Sequence, residues 1–184
     1  MVQFNLAGPF DIHKDDHSLR LEGWLRGDED LRFDYTQIDL FPAWLKPLNR
    51  LRYKGWDYYF VVTKDLIVSV NISDILGIGG SLFSVYNTKT KKLEITASEE
   101  SFDFKLAPNA PSTLVTGEFH SSKLHVSFDQ RDVKFSYKDG EQTFDGQFHI
   151  HYERPKHEAI TTIMPISEDE KHFFFATKKP GLGI

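Results

Sequence analysis

Between Lys123 and Glu153 apolar and polar residues alternate with a period of two, three times in succession. Leu124, Val126 and Phe128 interleave with Lys123, His125 and Ser127. Val133, Phe135 and Tyr137 interleave with Lys134, Ser136 and Lys138. After Asp139-Gly140, Phe144, Phe148, Ile150 and Tyr152 interleave with Asp145, Gln147, His149 and His151. Successive side chains of a strand point to opposite faces, so the pattern predicts an antiparallel meander with one apolar and one polar side. Asp-Gly tolerates the positive φ that a tight hairpin needs.

The same reading extends along the chain. Trp56 to Thr63 predicts a strand that Gly55 interrupts as a bulge, with Arg50 to Tyr53 on its far side. Leu66 to Ile75 predicts the next strand, and Ile75 to Gly80 a flexible connection. Leu82 to Asn87, Leu93 to Ala97, Phe102 to Leu106 and Leu114 to His120 follow as strands. Near the N-terminus, Leu19 to Leu25 and Leu31 to Tyr35 are strand candidates. Phe41 to Leu48 is broken by Pro42 and Pro47, so it is one helical turn or a packed loop. Lys171 to Thr177 is the last strand, its three consecutive Phe residues implying burial on both faces. No stretch of ten residues carries an apolar stripe of helical period. Roughly ten to twelve short strands result, at the spacing of barrels and sandwiches. The expected fold is all-β: an antiparallel lipocalin-like (calycin) barrel or a strongly curved β-sandwich with little helix. It forms one domain over residues 1–184, with residues 1–49 partly irregular.

Composition narrows the chemistry. The 184 residues contain 16 Phe and 7 Tyr against 2 Met, which favours an aromatic, sheet-built core. Without cysteine there is no disulfide, zinc thiolate or cysteine nucleophile. The net charge of −5 opposes nucleic acid as a partner. Met1 to Asn5 lacks the basic start and apolar run of a secretory signal, and no apolar stretch approaches the ~20 residues of a membrane span. A cytoplasmic protein with no transmembrane segment is expected.

No catalytic signature stands out. His149, His151 and Glu153 share a strand face, where two histidines at i and i+2 plus a carboxylate are able to ligate a metal. The plainer reading is a solvated polar face, and no fourth ligand stands at a recognised spacing, so no metal and no cofactor are expected. His120 and His125 flank the Ser121-Ser122 turn and are read as surface residues. Trp24, Trp56, Tyr58 and Tyr59 are the aromatic residues best suited to meet a ligand, against the alternative of ordinary core packing. Gly77-Ile78-Gly79-Gly80 lacks the Lys and the following helix of a phosphate loop. Arg50, Arg52 and Lys54 alternate as a basic ridge of the kind that protects a sheet edge. No Gly-x-Ser-x-Gly elbow is present.

Three segments together have a familiar pattern: Arg50 to Thr63 running on into Leu66 to Asp74; Arg154-Pro-Lys-His-Glu158 followed by Met164-Pro165-Ile166; and Lys171 to Lys178. The pattern resembles the N-terminal half of a family of uncharacterised proteins about twice this length, classed as a domain of unknown function. These are distantly similar to the tandem calycin barrels of tocopherol cyclase and hydroxyneurosporene synthase (carotenoid hydratase) proteins. The resemblance implies a first barrel of a two-barrel protein, with Trp56, Tyr58, His157 and Glu158 as the family-like positions to test. The expected function is binding of an apolar small molecule or lipid, with Trp24, Trp56, Tyr58, His149, His151, Glu153, His157 and Glu158 as ligand-binding candidates. One alternative is acid–base chemistry on a lipid or isoprenoid, carried by His149, His151, Glu153 or His157-Glu158. The other is a structural half-domain that pairs with a second β domain, which would place Phe173 to Phe175 on a sheet edge.

Overall fold

Period-two alternation becomes strand wherever the chain can bury its apolar side. In the computed structural model the described residues are 3–4, 10–15, 18–20, 22–26, 31–32, 41–52, 54–107, 116–151, 160–166, 168, 172–178 and 182–183. They form β1 (Gln3–Phe4), β2 (Phe10–Asp11), β3 (Gly23–Arg26), β4 (Leu31–Arg32), a 3-10 helix (Ala43–Arg52), β5 (Lys54–Val62), β6 (Leu66–Ile75), β7 (Ile78–Asn87), β8 (Lys92–Ser101), β9 (Phe104–Leu106), β10 (Thr116–His120), β11 (Leu124–Asp129), β12 (Asp132–Asp139), β13 (Gln142–His151), β14 (Ile160–Pro165), β15 (Phe173–Lys178) and β16 (Leu182–Gly183). The fold is all-β, as expected.

The chain divides into two compact units. Met1–Arg50 and His151–Leu182 make the first. Its main sheet has the order β1-β3-β14-β15, in which β1 runs parallel to β3 while β3, β14 and β15 are mutually antiparallel neighbours. Ile12, Leu19 and Ile163 are its buried centre, with Phe173 and Phe175 packed against them.

Leu51–Ile150 with Gly183–Ile184 make the second unit. Here β5-β6-β7-β8 form one antiparallel sheet, and β13-β12-β11-β10-β9, flanked by β16, form the other. Their inner faces share one core. Val68, Val70, Ile72, Phe83, Val85 and Ile95 from the first sheet meet Phe119, Leu124, Val126, Phe128, Val133, Phe135, Tyr137 and Phe148 from the second. The rings engage directly across the layer: Tyr59 lies 4.7 Å from Phe128, and Phe83 lies 5.3 Å from Phe135 and 5.7 Å from Tyr137. Such edge and tilted contacts add to the burial of large apolar area. Among the described residues the two sheets stay separate, so no closed barrel is found.

The meander from Leu124 to His151 has the predicted alternation and turn, and its register sets Asp139 opposite Gln142 across a turn where Gly140 takes φ 62°. Three local readings need correction. Arg50 to Arg52 are the end of the 3-10 helix, not a strand. Pro47 has no N–H to donate, and the segment turns tightly from the start, with Leu45 N donating to Pro42 O at 2.8 Å. Gly55 is not a bulge, because it pairs with Asp74 in unbroken register. Ile75 to Gly80 is not a flexible connection. Leu76 and Gly77 take φ 60° and 84° and close a two-residue hairpin, and the Gly77 N–H donates to Asp74 Oδ1 at 2.8 Å. Gly79 is glycine because the Phe104 ring lies on it: a Cβ there would stand 2.4 Å from Phe104 Cγ.

Candidate functional site

The outer faces of the second unit's two sheets are built by the same alternation and carry opposite chemistry. On β5, Asp57, Tyr59 and Val61 turn inward, so Trp56, Tyr58, Phe60 and Val62 turn outward. They are 54%, 53%, 62% and 62% exposed, and Leu82 on β7 adds 53%. Tyr58 and Phe60 touch, with ring centroids 6.2 Å apart. Register continues the apolar surface across the sheet in one row, Val62 opposite Ile67, Ile67 opposite Tyr86 and Tyr86 opposite Leu93. Beside the aromatic column the polar groups satisfy one another. The Ser69 and Ser84 hydroxyls lie 2.7 Å apart, Ser73 Oγ donates to Gly80 O at 3.0 Å, and Asn71 Oδ1 accepts from the Leu82 N–H. The result is a surface of half-exposed rings next to hydroxyls whose hydrogen bonds are already made. An apolar patch of this kind is a candidate recognition surface. Among the described residues β5 is also the first strand of its sheet's order, with a strand neighbour on one side only.

The outer face of the other sheet is polar. Glu118, His120, His125, Lys134, Ser136, Asp145, Gln147 and His149 occupy its outward positions. Two histidine–carboxylate contacts organise it. His149 Nδ1 lies 2.9 Å from Asp132 Oδ1, directly across the β12–β13 pair. Glu118 Oε1 lies 3.1 Å from His120 Nε2 and 3.8 Å from His125 Nε2. The hydrogen bond from His120 holds the Glu118 carboxyl below its ordinary pKa. Burial, and then the neighbouring His120, lower the His125 pKa.

Residues 3–184 match the family described as Domain of unknown function (DUF2804). The chain belongs to that family. Neither the curated proteins nor the solved structures gave a match.

In this DUF2804 chain the candidate residues separate. Trp56 and Tyr58 stand together on the apolar outer face. His149 stands on the polar face of the opposite sheet, with the shared core in between. Trp24 belongs to the first unit, half-buried on β3 opposite Gln3 and Thr162. His151 ends β13, half-buried. Glu153, His157 and Glu158 lie outside the described residues. The structure adds Phe60, Val62 and Leu82 to the aromatic pair. For Phe60 and Val62 the signal was present in Asp57 to Thr63, whose two strand parities are both largely apolar, so that one face had to remain uncovered by its own core. For the histidine cluster, the signal was Glu-x-His followed by a hairpin turn that folds His125 back over His120.

Beneath the aromatic column sits an unusual inward group. Burial pushes the Asp57 carboxyl up to about 6. Burial, with the Asp57 charge second, pushes the neighbouring Tyr59 phenol up as well. An inward carboxyl on an edge strand disfavours indiscriminate edge pairing, because a partner strand would deepen its desolvation.

Proposed function

We propose that this protein is a binding module for an apolar small molecule or lipid, held against the outer face of the β5–β8 sheet. The observation that carries this reading is the outward row Trp56, Tyr58, Phe60 and Val62 with Leu82, each more than half exposed. Fully burying a large apolar side chain contributes roughly 1.5–3 kcal/mol, so each of these has on the order of 1 kcal/mol still to gain on being covered. The ligand's own apolar surface, covered in the same contact at about 25 cal/mol per Å², adds to this against the costs of association. Rings fill the layer between the sheets, which favours the outer face over the interior. The distant resemblance to the calycin barrels of tocopherol cyclase and hydroxyneurosporene synthase proteins favours a prenyl or acyl chain as the ligand class.

Acid–base catalysis receives less support. His149 meets its carboxylate on a half-exposed surface, which is the setting of an ordinary surface contact.

The test is titration of the full chain with the hydrophobic dye 1-anilinonaphthalene-8-sulfonate and with phosphatidylcholine vesicles. Saturable binding that weakens at least tenfold in Tyr58→Ser/Phe60→Ser supports the proposal. Unchanged binding in that variant, or none in the parent, overturns it.

A second reading, a half-domain that pairs with another β domain, is favoured by a separate observation. Both β5 and β15, the strand of Phe173 to Phe175, stand at the ends of their sheets' orders. Sedimentation equilibrium distinguishes the two: a monomer that binds dye fits the first reading, and a stable dimer that excludes dye fits the second.

A further inference from the structure

We propose that Glu118, His120 and His125 form a divalent transition-metal site on the polar outer face of the β9–β13 sheet. The site rests on side-chain geometry. Glu118 and His120 are at i and i+2 on β10, so they share a face, and His120 stands directly opposite His125 on β11. The hairpin turn fixes that register: Ser121 Oγ accepts from the Lys123 N–H at 3.2 Å and from the Leu124 N–H at 3.0 Å. Below the three residues, Phe119, Leu124 and Val126 are fully buried and hold both strands in place. A site carried on packed strands is better preorganised than one on a loop.

The ligand atoms converge. Glu118 Oε1, His120 Nε2 and His125 Nε2 all lie within 4.8 Å of one another. Both imidazoles address the same carboxylate oxygen, at 3.1 and 3.8 Å. Tetrahedral zinc with bonds of about 2.0–2.1 Å separates its ligands by about 3.3 Å, so small side-chain rotations bring this set to coordination distance. The two rings are stacked, with centroids 4.0 Å apart and planes 26° apart, so the imidazoles lie together on the same face. Two imidazoles and a carboxylate suit zinc, copper(II) or nickel(II), and do not suit calcium or magnesium, which take oxygen ligands. Three protein ligands leave a coordination position for water or an exogenous anion. Lys105 is directly opposite Glu118 on β9, a cation on the flank that favours an anionic fourth ligand.

The experiment is isothermal titration of zinc sulfate into the full chain after treatment with chelator. One equivalent is expected to bind, with affinity at least tenfold weaker in His120→Ala and in His125→Ala and unchanged in His149→Ala. Because a variant that misfolds would mimic loss, zinc is also titrated into the unaltered protein while histidine ring proton resonances are followed by NMR. Shifts concentrated at His120 and His125 support the site. Absence of binding, or shifts elsewhere with those two unmoved, overturns it.

Discussion

The two sheets of the second unit share one interior and differ on their outsides. Toward the core, both present Val, Ile, Phe and Tyr at alternate positions, and the rings of one sheet touch those of the other. Away from it, the β9–β13 sheet shows the lysines, serines and histidines expected of a surface facing water. The β5–β8 sheet instead shows Trp56, Tyr58, Phe60, Val62 and Leu82. Folding explains the inner faces, because burying them is what holds the layers together. It does not explain the rings on the outer face of β5, which gain little from folding. The contrast is the observation on which the proposed binding role of that face rests.

Substitutions ought to separate the two kinds of surface. The largest effect belongs to the common interior. Phe83, fully buried and in contact with Phe135, Tyr137 and Phe144, is expected to cost about 3–5 kcal/mol when changed to Ala, measured by urea denaturation. A loss under 1 kcal/mol would mean the two sheets do not depend on one core.

Next in size is Asp57, which lies inward beneath the apolar face. Its carboxyl ionises near pH 4 in the unfolded chain, whereas burial raises it to about 6 in the folded protein. Below the lower value the group is protonated in both states and contributes no difference. Between the two, the folded protein keeps a proton that the unfolded chain has released, so stability falls as pH rises through this window and stays lower above it. Asp57→Asn is expected to abolish that fall and to stabilise the protein at pH 7 by about 1–2 kcal/mol, after allowing for solvent screening. Melting curves of both proteins at pH 4 and pH 7 check this. An equal difference at both pH values would show that Asp57 is not desolvated in the folded state.

On the outer face of β5, Tyr58→Ser/Phe60→Ser is expected to reduce apolar ligand binding about tenfold, equivalent to about 1.4 kcal/mol. Stability is expected to change by under about 1 kcal/mol, since these rings are mostly outside the core. A large loss of stability would make them structural and erase the contrast between the faces. The smallest effect is expected at His149→Ala on the polar face. Its half-exposed pairing with Asp132 is worth about 0.5 kcal/mol or less, to be measured in low and high salt.

Much of this architecture is legible in the sequence wherever one strand face is buried and the other wet. The meander from Leu124 to His151 is the clearest case, because alternating residue types report both the strand and its register. Legibility fails where the residue types stop alternating. In Trp56 to Val62 both faces are apolar, so strand is evident but the outward identity of Trp56, Tyr58, Phe60 and Val62 is not. At Gly79 and Gly80 the glycines suggest slack, whereas the Phe104 ring and the Ser73 hydroxyl claim the space a side chain would fill. His120 and His125 read as two separate surface residues, because cross-strand proximity depends on the register of a hairpin and not on either residue alone.

Local patterning alone determined that this chain is all-β, aromatic-cored and free of thiol chemistry, since side-chain alternation and composition act residue by residue. Tertiary structure decided that the sheets of the second unit layer over a shared core with no closed barrel among the described residues, that Trp56 to Val62 face outward, and that Glu118, His120 and His125 meet. Those outcomes depend on which strand lies beside or across from which, a matter of pairing between distant segments that no local period encodes.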